Sequence, residues 1–326
     1  MSSLPVVVVS WNVRDLLARC LESLISDLDS ASIDSRILVV YNASRDGSVE
    51  MLHSRFPSVE VIALDENLGF AGGNNVGLRA LGFPHPPPPP YGSPSPLSRL
   101  QQSGEGGGGR GEGGEVLLLN PDTEVQPGAI VTLLDAMRAM PEAALITSRL
   151  AYGDGSFQHS AFRFPGLAQL YIDLFPVPAR LYESRLNGRY PKRLYAAGRP
   201  FEVDHPLGAV MLVRAEAIRQ AGLFDEEFAL YCEEIDWSAR FREAGWRNYC
   251  APAAHVVHHA GQSTSQVKAE SFVKLWAARH RLHAKHPSFA PMWLARRIVR
   301  AGMRRKMRGA SEEMRTACRK IIKVWQ

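Results

Sequence analysis

Short apolar runs rich in β-branched residues alternate, along the first half of the chain, with stretches whose apolar side chains recur every three or four positions. Val6–Ser10 is the first such run and reads as a buried strand. Leu16, Leu17, Cys20, Leu21, Leu24 and Ile25 then recur at helical spacing, so the chain opens strand, loop, helix. Arg36–Tyr41 predicts a second strand, Asn42–Ser48 a loop of turn formers, Ser48–Phe56 a helix and Val59–Leu64 a third strand. Gly69–Leu81 passes from a Gly/Asn-rich entry into a helix. Glu115–Asn120 is a fourth strand, Pro127–Met140 a helix and Ala144–Thr147 a short strand. This alternation predicts an α/β fold, with a mostly parallel central sheet flanked by helices. Ligands on such sheets sit beyond the C-terminal strand ends. The loops after Tyr41 and after Leu119 fall there.

The segment 84–114 breaks the pattern, because 17 of its 31 residues are Pro or Gly. So little apolar surface does not offset ordering entropy, and a disordered surface insertion is expected. From Phe201 the character changes again. Val203–Arg214 is small and apolar, Arg214–Ala221 is a short helix, Phe224–Trp246 is dense in acids and aromatics, and Cys250–His259 reads as a strand ending in histidines.

Charge sharpens this division. The chain has 326 residues with 38 Lys+Arg, 33 Asp+Glu and a net charge of +5. Residues 291–326 alone hold 11 Lys/Arg and two Glu, or +9, which leaves −4 for the body. An acidic body with a basic end is not a uniformly basic nucleic-acid binder, and no nucleic-acid partner is expected. Four scattered cysteines without a CxxC pair suit reduced thiols. The start lacks a basic n-region, its apolar run is short, and no stretch reaches the ~20 apolar residues that span a bilayer. A cytoplasmic protein, peripheral at most to the inner membrane face, is expected.

Four constellations could carry chemistry. Asn120-Pro121-Asp122 follows a strand directly, and a strand-end carboxylate on a tight turn is placed to hold a hard divalent cation. The same tripeptide is also an ordinary turn. Asn67 through Asn75 (NLGFAGGNN) lets backbone approach a ligand closely, yet it has neither GxGxxG nor a P-loop lysine. Phe224–Trp237 crowds carboxylates among aromatics. Glu233 and Glu234 fall near a helix start, where one can act as a general base, and Asp236 with Arg240 at i,i+4 can brace the helix. His255, His258 and His259 end an apolar strand, where one imidazole can complete a metal site with Asp122 or lie on the surface.

The order and spacing of these pieces resemble family 2 glycosyltransferases, particularly the bacterial rhamnosyltransferase-like branch with a GT-A fold. The resemblance rests on Val7–Asn12, Val40–Ser48, Asn67–Asn75, Leu118–Asp122, Gly208–Arg214, Phe224–Arg240, Gly245-Trp246 and residues 258–263 (HHAGQS), and covers about residues 5–265. It implies a GT-A domain over 1–265 followed by a basic amphipathic helical extension over 266–326. It implies inverting transfer from a nucleotide-diphosphate sugar, best guess a rhamnose donor, to a glycan or lipid-linked acceptor in cell-envelope polysaccharide synthesis, assisted by Mg²⁺ or Mn²⁺. Carried onto this sequence, Asp122 and His258 hold the metal, and Glu234 is the base with Asp236 in support. Ser10, Asn12, Tyr41, Asn42, Asp46, Asn67, Gly69, Gly72, Asn74 and Asn120 contact the nucleotide sugar. The family usually has aspartate where Tyr41 and Glu234 stand. These departures motivate the alternative of a catalytically degenerate GT-A binding or scaffold protein.

In the tail, Val299, Met303, Met307, Ala310, Met314, Ala317, Ile321 and Trp325 follow at spacings of 3 or 4 and define one helical face. Such a face suits either an interfacial helix on anionic lipid, with Trp325 as anchor, or packing on protein.

Overall fold

The structure, a computed structural model, describes residues 3–84, 114–228, 230–260 and 268–326. Most of the Pro/Gly-rich segment expected as an insertion, and residues 261–263 of the resemblance, lie outside the described residues. The first strands and helices are β1 (Leu4–Ser10), α1 (Arg14–Ser30), β2 (Ser35–Asn42), α2 (Ser48–Arg55), β3 (Glu60–Leu64) and α3 (Gly69–Ala80). After the undescribed stretch come β4 (Glu115–Leu119), β5 (Thr123–Val125), α4 (Ala129–Ala139), β6 (Ala143–Ala151), β7 (Phe157–Gln158) and β8 (Ala161–Phe162). Then follow α5 (Leu167–Leu174), α6 (Lys192–Ala196), β9 (Phe201–Val203), β10 (His205–Pro206), β11 (Val210–Arg214), α7 (Ala215–Ala221) and α8 (Glu233–Glu243). The chain closes with β12 (Arg247–His258), α9 (Lys268–Lys285), α10 (Met292–Lys306) and α11 (Glu312–Val324).

The main sheet runs β3-β2-β1-β4-β11-β6-β12-β5. Its first four strands are parallel, as the alternating pattern predicts, and β6 and β12 are parallel too. β11 enters antiparallel between β4 and β6, so the sheet is mixed rather than uniformly parallel. The β1, β2 and β4 interiors are almost wholly buried, which is why their sequences are unbroken apolar runs instead of alternating ones. From β1 the chain builds outward to β3 and returns to β4 on the other side of β1. The crevice at the C-terminal ends of β1 and β4 is therefore the switch point of the topology.

Glycines let α3 lie close on this sheet. A Cβ on Gly73 would stand 2.6 Å from Val9 Cγ1, and one on Gly77 would collide with Val7. Gly73, within the stretch expected to let backbone approach a ligand, serves helix-on-strand packing, as does Gly77 one turn on.

The tail stripe is spent inside the protein. It divides between α10 and α11, and Val299, Met303, Ile321 and Trp325 are fully buried in one cluster with Trp276 of α9 and Leu170 and Leu174 of α5. Trp325 donates its indole N–H to the Trp276 carbonyl at 2.9 Å. The expectation of Trp325 as a lipid anchor is thereby corrected: a 13-residue helix gains more by burying its apolar stripe against three neighbours than by leaving it exposed. The extension is also tied to the body, since Lys285 and His286 reach Asp236 of α8.

Candidate active site

The first two strand-end loops brace one another. Asn12, held at φ 53°, accepts the Arg45 N–H on Oδ1, and its own N–H donates to Ser44 Oγ. Asp46 accepts the Arg14 N–H at 2.8 Å and the Ser48 hydroxyl at 2.6 Å. Asn42, buried, donates to Asn67 Oδ1 and to the Gly69 carbonyl, and accepts the Leu68 N–H. Gly69 takes φ +71°, a conformation that suits glycine. The side chains expected to touch the donor are thus engaged in bracing the strand-end loops on one another. Ser10 is fully buried, with no partner for its hydroxyl among the described residues. Tyr41 donates its hydroxyl to the Ser44 carbonyl at 2.6 Å, and burial together with Asp46 and Glu50 raises its pKa. It is a neutral phenol, suited to stacking rather than to pairing with a ring N–H.

Two further residues of the Gly/Asn motif do structural work. Gly72 sits against Leu68, whose Cβ would be 2.7 Å from an added methyl, and Asn74 is buried with its amide on the Phe70 carbonyl. Asn75, which ends the motif but is not among the expected donor contacts, clamps the acidic segment: it accepts the Phe224 N–H and donates to the Phe224 carbonyl and Glu226.

At the end of β4, the Asn120 N–H donates to the Ala209 carbonyl at 2.9 Å, and the Asn120 carbonyl accepts the Thr123 hydroxyl. β5 then pairs antiparallel with β12, setting Thr123 opposite His258. Three residues of β12 around Pro252 bulge out of register before His255, which is how a proline fits within this strand. As a result His258 Nε2 lies 3.4 Å from Asp122 Oδ1, both side chains nearly buried. His258 Nδ1 lies 3.1 Å from Gln158 Oε1, which as acceptor would fix the proton on Nδ1 and leave Nε2 free to coordinate. His259 turns instead to Glu124 at 2.7 Å, and His255 takes no part in this contact.

The carboxylates after the aromatic segment divide sharply. Tyr231 and Cys232, at φ 72° and 71°, make a strained turn into α8. Glu234 lies beside Gly208, where an added Cβ would be 3.5 Å from its Cγ. Gly208 adjoins Ala209, the partner of Asn120, so Glu234 and the Asn120–Asp122 turn stand at one edge of the crevice. Burial pushes Glu234 up to about 7, against the backbone N–H bonds of the helix start. Glu233 is pushed well above the usual range by burial and by Glu234, and its Oε2 has no partner among the described residues. Asp236 is different. It is fully buried and held by Arg240 at 2.9 Å, Lys285 at 2.7 Å and His286 at 2.9 Å. Burial alone would raise its pKa, but the His286 hydrogen bond and the charges of Arg240 and Lys285 hold it well below the usual carboxylate range. The expected catalytic support from Asp236 is therefore corrected to a brace joining α8 to α9. Lys285 and His286 carried no sequence signal, because their role depends on a helix packing back across the body.

A divalent cation suits the Asp122–His258 pair. Neighbouring ligands of a six-coordinate ion, each about 2.1 Å from it, stand about 3 Å apart, near the observed separation. One oxygen and one imidazole nitrogen favour Mn²⁺ over Mg²⁺. Among the described residues no group of three or more His, Cys, Asp or Glu could hold a metal, so the other positions would fall to ligand oxygens and water.

A mixed sheet thus carries a strand-end carboxylate, a partnered histidine and a buried glutamate at one switch-point crevice. The glycosyl transferase family 2 profile matches residues 6–81. An N-acetylglucosaminyl-diphospho-decaprenol L-rhamnosyltransferase of Mycobacterium tuberculosis is 29% identical over 284 residues, covering 85% of this chain and 81% of the relative. Rhamnosyltransferase WbbL of Escherichia coli is 34% identical over 70 residues, 22% of this chain and 26% of the relative. Among solved structures, GalNAc-T7 with UDP, GalNAc and Mn²⁺ shares the fold at a TM-score of 0.51 and 13% identity, over 86% of this chain. The match covers only 47% of that longer protein. The chain thus carries a family 2 glycosyltransferase match over its first quarter and is similar along most of its length to a rhamnosyltransferase.

Proposed function

We propose that the chain is an inverting, metal-assisted rhamnosyltransferase acting on a lipid-linked, diphosphate-bearing acceptor sugar. The observation that carries this reading is the convergence of Asp122, His258 and Glu234 on one crevice edge, together with similarity along most of the chain to a transferase of that printed activity. A divalent ion on Asp122 and His258 would neutralise the departing nucleoside diphosphate. Glu234, whose affinity for a proton is raised by burial, accepts the acceptor hydroxyl proton. The acceptor oxygen forms a bond to the anomeric carbon from the face opposite the diphosphate. The carbon–oxygen bond to the diphosphate breaks with its electron pair, and the anomeric configuration inverts. Tyr41 stacks on the base of the nucleotide, with a deoxythymidine-diphosphate sugar preferred. The loops braced by Asn12, Asn42, Asp46 and Asn67 hold the donor's diphosphate and ribose through their backbone, with Gly69 and Asn120 at the edge.

No helix among the described residues is long and apolar enough to cross a membrane. Work on a lipid-linked acceptor would then proceed at the membrane surface, the exposed Arg304, Arg305, Arg315 and Arg319 favouring an anionic one. The test is transfer from deoxythymidine-diphosphate rhamnose to a short-prenyl diphospho-N-acetylglucosamine with Mn²⁺, with product configuration read by NMR. Nucleotide binding without turnover across thymidine- and uridine-diphosphate sugars would leave a binding protein and sink the reading.

A further inference from the structure

A cavity of about 520 Å³ lies between the segment 152–192, the start of α8 and the second half of α9. Its size suits a ligand of sugar-diphosphate scale. Cys232 and Ile235, the residues on either side of the first two glutamates of α8, form part of its wall. The cavity therefore borders the turn that carries Glu234, which itself lies behind this wall.

Its charge is unbalanced. Arg163, Arg189, Lys192 and Arg279 line it, against Asp173 and Glu183. Asp173 is engaged by Arg279 at 2.7 Å, and Glu183 by His159 at 2.9 Å. Arg163, Arg189 and Lys192 have no carboxylate within ion-pair distance among the described residues. Each is held over an aromatic ring instead: Arg163 over Tyr190, Arg189 over Phe162 and Lys192 over Phe157, at 4.9, 4.6 and 5.2 Å. A ring orients a cation without cancelling its charge. The Nε atoms of Arg163 and Arg189 are buried and without a partner among the described residues, which leaves the rest of each guanidinium to face a ligand. Arg189 and Lys192 act electrostatically on the same neighbours, His159 and Glu183, so their charges face one region.

The outer rim has a different character. Tyr182 and Leu186 are 44% and 57% exposed, and they are the chain neighbours of two cavity-lining residues, Glu183 and Asn187. Apolar side chains at the rim of a cationic cavity fit a ligand with an anionic head and an apolar continuation.

We propose that this cavity is the acceptor site, and that Arg189 and Lys192 bind the diphosphate linking the acceptor sugar to its lipid. The sugar then lies along the first turn of α8, where Glu234 receives its hydroxyl proton, while the prenyl chain leaves past Tyr182 and Leu186. The proposal rests on the lipid-linked acceptor reading above, and binding tests it without turnover.

The full chain is titrated by calorimetry with farnesyl diphospho-N-acetylglucosamine, with the farnesyl glycoside lacking phosphate, with inorganic pyrophosphate and with deoxythymidine diphosphate. The wild type is expected to prefer the diphosphate-linked sugar over the phosphate-free glycoside by about 10-fold or more. The R189Q/K192Q variant is expected to erase that preference and to bind deoxythymidine diphosphate as the wild type does. Lys192→Gln alone changes an exposed side chain, and is expected to reduce the preference several-fold if the double variant fails to fold. No preference in the wild type, or a preference kept in the variant, overturns the proposal. So does tight pyrophosphate binding with no gain from the attached prenyl sugar, which marks a free-diphosphate site. If nucleotide-sugar turnover fails while the preference stands, the donor chemistry is wrong and the cavity assignment survives.

Discussion

His258 Nε2 lies 3.4 Å from Asp122 Oδ1, although the two residues come from opposite halves of the chain. The pairing of β12 with β5 puts them there, and Gln158 orients the imidazole. Removing the carboxylate while keeping its shape isolates this relationship. Asp122→Asn is expected to weaken Mn²⁺ binding by about 10- to 100-fold, with a thermal midpoint within a few degrees of wild type. Electron paramagnetic resonance titration of Mn²⁺ in the presence of a nucleoside diphosphate reads the first quantity directly.

Gln158→Leu tests the orienting contact. It leaves both proposed ligands in place but frees the His258 ring, and Mn²⁺ affinity is expected to fall by about tenfold or more. Unchanged affinity would show that the Gln158 contact serves packing alone.

Glu234→Gln separates chemistry from stability. The turnover number is expected to fall by about 10²- to 10⁴-fold, with nucleotide binding preserved. In the wild type only the ionised carboxylate accepts a proton, so kcat should fall as the pH drops through about 7. Stability runs the other way. The folded-state pKa lies above the ordinary 4.5, so the folded state holds the proton more firmly. That contribution is complete below pH 4.5 and is lost as the pH rises through about 7. Glu234→Gln should therefore melt higher than wild type at pH 8, by differential scanning calorimetry.

Asp236→Ala should do the opposite. It removes the carboxylate shared by Arg240, Lys285 and His286, which keep the Ala221 and Leu223 carbonyls, Asp225 and Glu243, and a loss of about 3 kcal/mol is expected from denaturant unfolding. The depressed pKa of Asp236 gives a stabilisation present above its ordinary 3.8 and lost as the pH falls through its lower folded value. Acid unfolding should accordingly shift to higher pH in the milder Asp236→Asn variant.

Trp325→Ala addresses the tail. The side chain is fully buried and donates a hydrogen bond, so about 3–5 kcal/mol of stability should be lost. Binding to anionic vesicles by folded protein should be unchanged. A selective loss of vesicle binding would restore the anchor reading that the packing corrects.

The individual strands and helices of the body were legible because local patterning determines them. β1, β2, β3 and β4 begin or end within two residues of their apolar runs, and α7 and the start of α8 lie where the pattern sets them. The segment 151–203 was not legible: its strands are two or three residues long and its turns are 3₁₀, too short for any periodicity to register. The break of the tail into α10 and α11 was hidden for a related reason, since the stripe keeps its spacing across Ala310 while the backbone turns near Gly309 at φ +77°.

Residue chemistry along the chain gave the α/β class of fold and narrowed the candidates to Asp122, Glu233 or Glu234, and one of His255, His258 and His259, since turn formers and apolar runs are local properties. The family resemblance then singled out His258 and Glu234. What each polar residue does was decided only in three dimensions. Asn12, Asn42 and Asp46 brace the loops, Asp236 is occupied by cations from another helix, and the apolar stripe of the tail is buried rather than exposed. A polar side chain satisfies whichever partner lies within about 3 Å, and a stripe covers whichever surface it meets. Both depend on which segments become neighbours, and the pattern along the chain does not contain that.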